Sequence, residues 1–356
     1  MEDDTIRDAA AIALGDAPQR VVRLHGGANN VVARIEIGGR VRVAKLYFSH
    51  PGDPRDRLGT EFGMLSFLWD RGLRCVPEPV TMSREASVGI YGFVAGAGVV
   101  PPVTWQEAVE LLEFLAAMRE ASADPAADEL PVASDASATV RGRLDELGRR
   151  LARLEAGNTP RWDGAVHAFV ERELRPGVAA VSRWVERAAG RFDLELDAEI
   201  GGDEWILSPG DVGFHNVIKD ESGHLCFIDF EYAGWDDVAQ VLAQACLAPD
   251  VPVPTDLHVM LLRELLAKLA AEAAVLRLRV LYPVLAAKWS LIVLNELVDI
   301  GGKRRAFAGV DVHQRQEAQI RKSRRLLGFA RTAAAHGSPL DALLPRALRQ
   351  KLASLE

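Results

Sequence analysis

The pattern of apolar residues changes once along this chain, near residue 100, and this change limits the folds open to it. Before that point, short β-rich runs alternate with glycine and proline turns, as in N-V-V-A-R-I-E-I-G-G-R-V-R-V-A-K-L-Y at 30–47. A Gly-Gly pair between such runs is typical of a tight hairpin. After that point the sequence is helical almost everywhere. We therefore predict an α+β, bilobal chain with a small β-rich lobe over residues 1–95 and a larger, mostly helical lobe over 96–356.

Composition and charge exclude several classes of protein. The 356 residues include 42 Lys and Arg against 50 Asp and Glu, a formal net charge of −8, so we expect no nucleic-acid partner. Three cysteines are too few and too scattered for a disulfide framework or a zinc site. The first residues are acidic, and the most apolar later stretch, 280–298, is interrupted by polar residues. We therefore expect a cytoplasmic protein without a membrane span.

Three other segments give specific structural predictions. Apolar residues spaced by three and four predict a helix that includes Leu58, Phe62, Leu65 and Leu68. Residues 163–191 predict a long helix with a break near Pro176. Residues 121–138 are rich in Ala, Asp, Ser and Pro, which favours a mobile excursion outside the core.

The segment 207–235 groups the polar residues that could carry chemistry. It reads L-S-P-G-D-V-G-F-H-N-V-I-K-D-E-S-G-H-L-C-F-I-D-F-E-Y-A-G-W, in which D-E-S-G is a turn between two short apolar runs. Because the outer ends of an antiparallel hairpin meet, Asn216 and Asp229 should converge. An amide and a carboxylate oxygen suit Mg²⁺ beside substrate phosphates. Asp211, in the preceding loop, could orient or deprotonate a hydroxyl nucleophile.

A phosphate-transferring site also needs a cation that is held in place by a carboxylate. Lys45 lies in the predicted strand V-A-K-L-Y, and Glu61 lies on the apolar face of the predicted helix that follows. A glutamate beside an apolar face is costly unless it is paired. We therefore predict an ion pair between Lys45 and Glu61, the alternative being a surface lysine and a solvated glutamate.

These residues together resemble a known family. D-x-x-x-x-N followed by I-D-F is similar to the catalytic core of the aminoglycoside phosphotransferase and choline kinase family, small-molecule kinases of the protein-kinase-like fold. The resemblance implies that Asp211 is the catalytic aspartate and that Asn216 and Asp229 bind Mg²⁺. It implies transfer of the γ-phosphate of ATP, or of another nucleoside triphosphate, to a hydroxyl of a sugar, amino sugar, aminoglycoside-like compound or amino alcohol.

The resemblance also indicates where the nucleotide would bind. L-H-G-G-A-N-N corresponds to the family's nucleotide-covering loop, and Y-G-F-V-A-G resembles its hinge, where backbone groups pair with adenine. Glycines permit close approach of the backbone to phosphate. With Lys45 and Glu61, the predicted nucleotide-binding residues are Gly26, Gly27 and Asn29 in the loop and Gly92, Phe93 and Val94 in the hinge.

The sequence departs from the family pattern at two positions. Pro209 replaces the histidine of His-Gly-Asp, and Gln240 stands where a second aspartate is common. Proline can brace a loop by fixing φ, and Ser208 could supply a hydrogen bond instead. Neither position is one of the three residues that would handle the metal and the nucleophile, so we still expect catalysis.

The candidate acceptor-binding residues are acids and tryptophans that follow the metal-binding segment. Such side chains suit a cationic or sugar-like ligand, but core tryptophans and solvated acids would give the same pattern. The sequence leaves both interpretations open, and it does not fix the oligomeric state. The candidates are Glu231, Trp235, Asp236, Trp289 and Glu296.

Two functions of other classes remain as alternatives. A nucleotide-binding pseudokinase with a regulatory role would not need to keep the whole catalytic set, which this chain retains. A protein kinase would need a peptide-docking segment like A-P-E after Asp229, and none follows it. The sequence therefore favours a small-molecule kinase.

Overall fold

The computed structural model describes residues 2–24, 30–47, 55–156, 164–294, 312–335 and 338–352. The chain divides into two compact units, Met1–Ala136 with Ile206–Asp236, and Ser137–Trp205 with Asp237–Glu356. The predicted division into a nucleotide-binding, β-rich lobe that ends at residue 95 and a helical lobe that begins at residue 96 stays a prediction.

The first unit is built on a five-stranded antiparallel sheet. The strands are β1 (Arg20–Leu24), β2 (Val31–Ile37), β3 (Arg40–Leu46), β4 (Pro79–Ser83) and β5 (Val88–Gly92). They lie in the order β1-β2-β3-β5-β4. The predicted hairpin turns at Gly38 and Gly39, whose φ angles of 56° and 73° favour glycine.

Two helices pack against this sheet, on opposite faces. Helix α1 (Glu2–Leu14) packs on alternate strand residues, so that its core cluster contains Ile6, Ala9, Ala10, Ala33, Ile35, Ala44, Val88 and Ile90. Helix α2 (Arg57–Asp70) starts at Asp56, whose carboxylate accepts the N–H of Gly59 as an N-cap. The helix predicted from the apolar spacing is confirmed, and Glu61 lies on its buried side.

The rest of the first unit contains two smaller sheets, a helix and the loops between them. Strands β6 (Ala97–Gly98), β8 (Val217–Lys219) and β9 (Leu225–Phe227) form a three-stranded sheet, and β7 (Trp205–Ser208) pairs with β10 (Gly234–Asp237). Helix α3 (Trp105–Ala121) begins with a capping box of Thr104 and Glu107. The predicted hairpin of β8 and β9 is confirmed.

The prediction of a mobile excursion at residues 121–138, after α3, is wrong. Its backbone pairs with the chain around β10, since Ala133 N donates to Trp235 O at 2.9 Å and Trp235 N donates to Pro131 O at 2.9 Å. A Cβ at Gly234 would lie 2.2 Å from Pro131 O. The close approach of the two backbones therefore depends on the missing side chain of Gly234, and the segment is held against the rest of the first unit.

The second unit is helical. The helices of this unit are α4 (Val140–Ala156), α5 (Gly164–Phe169), α6 (Arg175–Phe192), α7 (Val238–Leu247), α8 (His258–Lys268), α9 (Val275–Ile292), α10 (Val312–Ala334) and α11 (Arg346–Leu352). Helix α9 is buried along nearly its whole length and contacts α4, α6, α7 and α10. Among the described helices, none is both long and apolar enough to cross a membrane.

The predicted break near Pro176 takes the form of a wider turn. A π-helical turn, Val170–Leu174, joins α5 to α6 and ends two residues before Pro176. Proline has no N–H to complete the α-helical ladder, and π-helical turns occur as local irregularities inside helices. The chain therefore keeps its helical course through the irregularity.

Candidate active site

Lys45 joins two carboxylates within the first unit. Its Nζ lies 2.6 Å from Glu61 Oε2 on α2 and 2.5 Å from Asp229 Oδ1 in the loop after β9. The predicted ion pair of Lys45 and Glu61 is confirmed. The sequence did not predict the direct contact with Asp229, because it depends on how the loop after β9 approaches β3.

Burial and charge act in opposite directions on this lysine. Burial alone would lower the pKa of Lys45, but the carboxylates of Glu61, Asp229 and Glu231 outweigh it and raise that pKa. Burial raises the pKa of Glu61, and Lys45 offsets this only in part. The ammonium group therefore stays charged at physiological pH and can act as a fixed cation.

Two tyrosines that the sequence analysis missed complete the surroundings of Glu61. Tyr47 OH lies 2.7 Å from Glu61 Oε2 and 2.8 Å from Tyr91 OH. The alternation of side chains along each strand could have indicated them. Lys45 and Tyr47 lie on one face of the sheet, and Gly89 and Tyr91 of the neighbouring strand lie on the same face.

The β8–β9 hairpin brings Asn216 and Asp229 close together, as its pattern predicts. Val217 pairs with Phe227, and Ile228 N donates to Asn216 O at 2.9 Å, so the two candidate metal ligands leave the hairpin side by side. Asp229 has a φ of 67°, a left-handed conformation that is costly for a residue with a side chain. Such conformations are concentrated at ligand-binding sites.

The donor atoms of this pair fit Mg²⁺. The amide nitrogen of Asn216 donates to Asp211 O at 3.1 Å, which leaves its amide oxygen as the atom suited to a cation. Asp229 uses one oxygen for Lys45 and has a second, and its side chain is 39% exposed. No group of three or more His, Cys, Asp or Glu side chains that could hold a metal occurs in the described ranges. Mg²⁺ does not need one, because it is commonly held by one or two protein oxygens together with phosphates and water.

Asp211 lies in the loop between β7 and β8, beside His215. One carboxylate oxygen, Oδ2, is 3.2 Å from His215 Nε2, and the side chain of Asp211 is partly exposed. The histidine contact fixes one side of the carboxylate and leaves Oδ1 as the other acceptor. The candidate base and the candidate metal ligand Asn216 are thus connected through the same short loop.

The loop that lacks the family's histidine is braced by other residues. Ser208 is fully buried, and its Oγ accepts the N–H of Gly210 at 3.0 Å, as predicted. Gly210 has a φ of 81°, and a Cβ there would lie 2.2 Å from Tyr232 O. The second departure, Gln240, is fully buried in α7.

The structure describes the predicted hinge but only the ends of the predicted nucleotide-covering loop. Gly26, Gly27 and Asn29 lie outside the described residues, whereas Asn30 Nδ2, directly after them, donates to Glu231 Oε2 at 2.5 Å. In the hinge, Gly92 N donates to Glu78 O, so this amide is already paired. Phe93 and Val94 follow the end of β5, and Phe93 is 37% exposed.

The candidate acceptor residues differ in their surroundings. Glu231 and Asp236 are almost fully buried, and Trp235 Nε1 donates to Ala127 O at 2.9 Å. Trp289 is half-buried on α9 of the second unit, and Glu296 lies outside the described residues. Nothing in these positions tests a role in acceptor binding, which stays a prediction.

A cavity of about 700 Å³ borders the hinge within the first unit. Its lining includes Gly92, Phe93 and Val94 together with residues of α3 and of the β8–β9 hairpin. Because Lys45, Asp211 and Asp229 do not line it, this cavity is separate from the groups that could act on phosphate.

Solved structures with the same fold are similar to this chain over most of its length. Spectinomycin phosphotransferase in complex with ADP and spectinomycin is 13% identical, with 93% of this chain and 98% of that chain covered and a TM-score of 0.60. Choline kinase from Streptococcus pneumoniae is 15% identical, with 92% and 99% covered and a TM-score of 0.58. Amicoumacin kinase in complex with AMP-PNP, Ca²⁺ and Ami is 13% identical, with 92% and 94% covered and a TM-score of 0.57.

The sequence itself matches a family model. No curated protein matches the chain significantly, but the model of the phosphotransferase enzyme family matches residues 20–278. The predicted protein-kinase-like α+β fold and the predicted class of enzyme, a small-molecule phosphotransferase, are confirmed. The match covers well over half of the sequence, and the chain belongs to the phosphotransferase enzyme family.

Proposed function

We propose that this chain transfers the γ-phosphoryl group of ATP, in the presence of Mg²⁺, to a hydroxyl group of a small molecule. The observation that supports this most is the position of Lys45 Nζ, within hydrogen-bonding distance of both Glu61 and Asp229. A lysine held by a buried carboxylate is a fixed cation for nucleotide phosphates. Its contact with a candidate metal ligand brings the phosphate and metal sites together.

The proposed binding roles follow from the donor atoms. Lys45 binds the phosphates, Glu61 holds Lys45, and the oxygens of Asn216 and Asp229 hold the metal. Bound Mg²⁺ would neutralise charge on the phosphate oxygens. In the same proposal the backbone at Gly26, Gly27 and Asn29 covers the phosphates, and that at Gly92, Phe93 and Val94 meets the base.

Asp211 is the proposed catalytic carboxylate. The acceptor oxygen attacks the γ-phosphorus, the bond from that phosphorus to the bridging oxygen breaks, and ADP leaves with the electron pair. The proton of the acceptor hydroxyl passes to the carboxylate of Asp211. His215, 3.2 Å from Oδ2, keeps the carboxylate oriented so that Oδ1 can receive this proton.

We propose an amino-bearing or sugar-like acceptor: a sugar, an amino sugar, an aminoglycoside-like compound or an amino alcohol. The names of the solved relatives mention spectinomycin, choline and amicoumacin, compounds consistent with this range. The predicted acceptor residues supply acids and aromatic faces that suit such a ligand. We place the reaction in the cytoplasm, where ATP and Mg²⁺ are both present.

A screen for ATP consumption tests this function. Sugars, amino sugars, nucleosides and amino alcohols are offered with ATP and Mg²⁺, and a product one phosphoryl group heavier is sought by mass spectrometry. We expect at least one acceptor to be phosphorylated by the native enzyme and not by Asp211→Asn. Nucleotide binding without transfer to any member of a broad panel would contradict the proposal and favour a regulatory nucleotide-binding module.

A further inference from the structure

Three side chains on one face of the sheet form a connected group with Glu61 of α2, namely those of Lys45, Tyr47 and Tyr91. Lys45 on β3 lies opposite Gly89 on β5, and Val43 lies opposite Tyr91. Because side chains alternate along a strand, Lys45, Tyr47, Gly89 and Tyr91 all lie on the face turned toward α2. The opposite face belongs to the core cluster with α1.

The polar atoms of this group form a continuous chain of short contacts. Tyr91 OH is 2.8 Å from Tyr47 OH, Tyr47 OH is 2.7 Å from Glu61 Oε2, and that oxygen is 2.6 Å from Lys45 Nζ. Both tyrosines are buried. An ionised carboxylate only accepts hydrogen bonds, so Tyr47 donates to Glu61 and Tyr91 must donate to Tyr47.

The sheet leaves space for this chain of contacts. A Cβ at Gly89 would lie 2.4 Å from Tyr91 OH and 2.7 Å from the ring atoms Cε2 and Cζ. Any larger residue at position 89 would therefore displace the phenol that donates to Tyr47. Phe62 of α2 packs against the same ring, with centroids 6.2 Å apart.

Lys45 has two competing partners of very different exposure. The side chain of Glu61 is 5% exposed, whereas that of Asp229 is 39% exposed. If Glu61 were less firmly held, the ammonium group could move toward Asp229 and occupy the oxygens proposed for the metal. A second hydrogen bond on Glu61 Oε2 fixes the carboxylate and, through it, the position of Lys45 Nζ.

We propose that Tyr47 is a positioning residue for nucleotide binding, supported by Tyr91 and by the space that Gly89 leaves. This rests on the proposed function, in which Lys45 binds phosphate. Tyr47 acts through Glu61 and does not touch the nucleotide. Burial raises the pKa of Tyr47 well above its usual range, so the phenol keeps its proton and remains a donor.

A double-mutant cycle measures this role directly. The dissociation constant of ATP with Mg²⁺ is determined by calorimetry for the native enzyme, Tyr47→Phe, Glu61→Gln and the double variant. Phenylalanine keeps the ring, over which Lys45 Nζ lies at 5.1 Å, and removes only the hydroxyl. We expect Tyr47→Phe to weaken binding about tenfold, which is about 1.4 kcal/mol. We expect no further loss when it is added to Glu61→Gln, because the two groups act together.

Two further variants complete the experiment. Tyr91→Phe should weaken binding less than Tyr47→Phe, because its hydroxyl is one hydrogen bond further from Glu61. Tyr282→Phe is the matched control, since that buried phenol in the second unit contacts His258 Nδ1 at 2.7 Å. It should lower the melting temperature and leave the dissociation constant of the nucleotide unchanged.

The possible results distinguish the proposed role of Tyr47 from the proposed function of the protein. A Tyr47→Phe enzyme that binds ATP as tightly as the native enzyme would overturn the inference and leave the proposed function intact. Full additivity with Glu61→Gln would also overturn it, because Tyr47 would then not act through Glu61. A native enzyme that binds no ATP in the presence of Mg²⁺ would overturn the proposed function and the inference together.

Discussion

Asp229 and Asp211 are carboxylates in the same short region of chain, but they contact different residues. Asp229 lies against Lys45 and beside Asn216, whereas Asp211 lies against His215. In the proposed reaction the first aspartate therefore binds the metal, and the second takes a proton. This distinction leads to opposite expectations for nucleotide binding.

Asp229→Ala should abolish the dependence of nucleotide binding on Mg²⁺, because it removes the carboxylate of the proposed metal pair. Asp211→Ala should leave Mg²⁺-dependent binding largely unchanged. Calorimetric titrations of ATP with and without Mg²⁺ would measure both effects. Equal ATP affinity with and without Mg²⁺ in the native protein would show that Asn216 and Asp229 are not metal ligands.

The residues of the site differ in how far the sequence could predict them. Lys45, Glu61, Asn216 and Asp229 could be predicted as candidates because their types and their order along the chain are characteristic. Tyr47 and Tyr91 were missed because their meeting depends on the pairing of Lys45 with Gly89 across two strands. Cross-strand register cannot be read from one segment alone.

Among the connecting segments, the loop that contains Asp211 depends on one glycine. Gly210 has a φ of 81° and no room for a Cβ beside Tyr232 O. Gly210→Ala should therefore lower both the melting temperature and kcat, since a left-handed conformation alone costs an alanine about 1–2 kcal/mol. Differential scanning calorimetry and steady-state kinetics measure the two effects.

A glycine in an open position serves as the control for this substitution. Gly190 lies within α6, and a Cβ there would meet nothing within 4 Å. Gly190→Ala should be neutral or stabilising by up to about 1 kcal/mol, because alanine favours helix. If Gly210→Ala behaved like Gly190→Ala, the loop would not need the left-handed conformation.

A buried histidine at the start of α8 contacts α9 and should make the stability of the protein depend on pH. His258 Nδ1 contacts Tyr282 OH, its Nε2 lies 3.0 Å from Val253 O, and burial lowers the pKa of this histidine despite Asp256 nearby. The unfolded chain then binds a proton more readily than the folded chain. Stability should therefore fall as pH drops below about 6.5.

Thermal unfolding between pH 5 and 8 checks this expectation. The His258→Gln variant should start from a lower melting temperature at pH 8 and lose less of it toward pH 5 than the native protein does. Parallel curves for the two proteins would mean that other groups cause the loss of stability in acid.

Element predictions succeeded where periodicity was strong and failed where composition was the only guide. The hairpin of β8 and β9 and helix α2 follow directly from alternation and from three-four spacing. Residues 121–138 were misjudged because Ala, Ser and Pro are typical of loops, although here their backbone pairs with Trp235. Composition cannot distinguish a loose loop from one whose backbone pairs with a neighbouring strand.

At the scale of the whole molecule, the protein-kinase-like fold follows from the order of its parts. A β-rich beginning with a lysine, a helix with a glutamate and a later hairpin with two candidate metal ligands follow one another in the order that the family resemblance predicts. The acceptor was not predictable in the same way. Its candidate residues are spread along the chain, from Glu231 to Glu296, and no motif fixes their common target.

We propose that Asp211 takes the proton of the acceptor hydroxyl during phosphoryl transfer. The most direct measurement is kcat and the KM for ATP of native and Asp211→Asn enzymes with a phosphorylated acceptor. We expect kcat to fall by about 10²–10⁴-fold with little change in the KM for ATP, because asparagine keeps the shape of aspartate and cannot accept the proton. An Asp211→Asn enzyme with nearly native kcat would contradict the assignment and the proposed chemistry at this site.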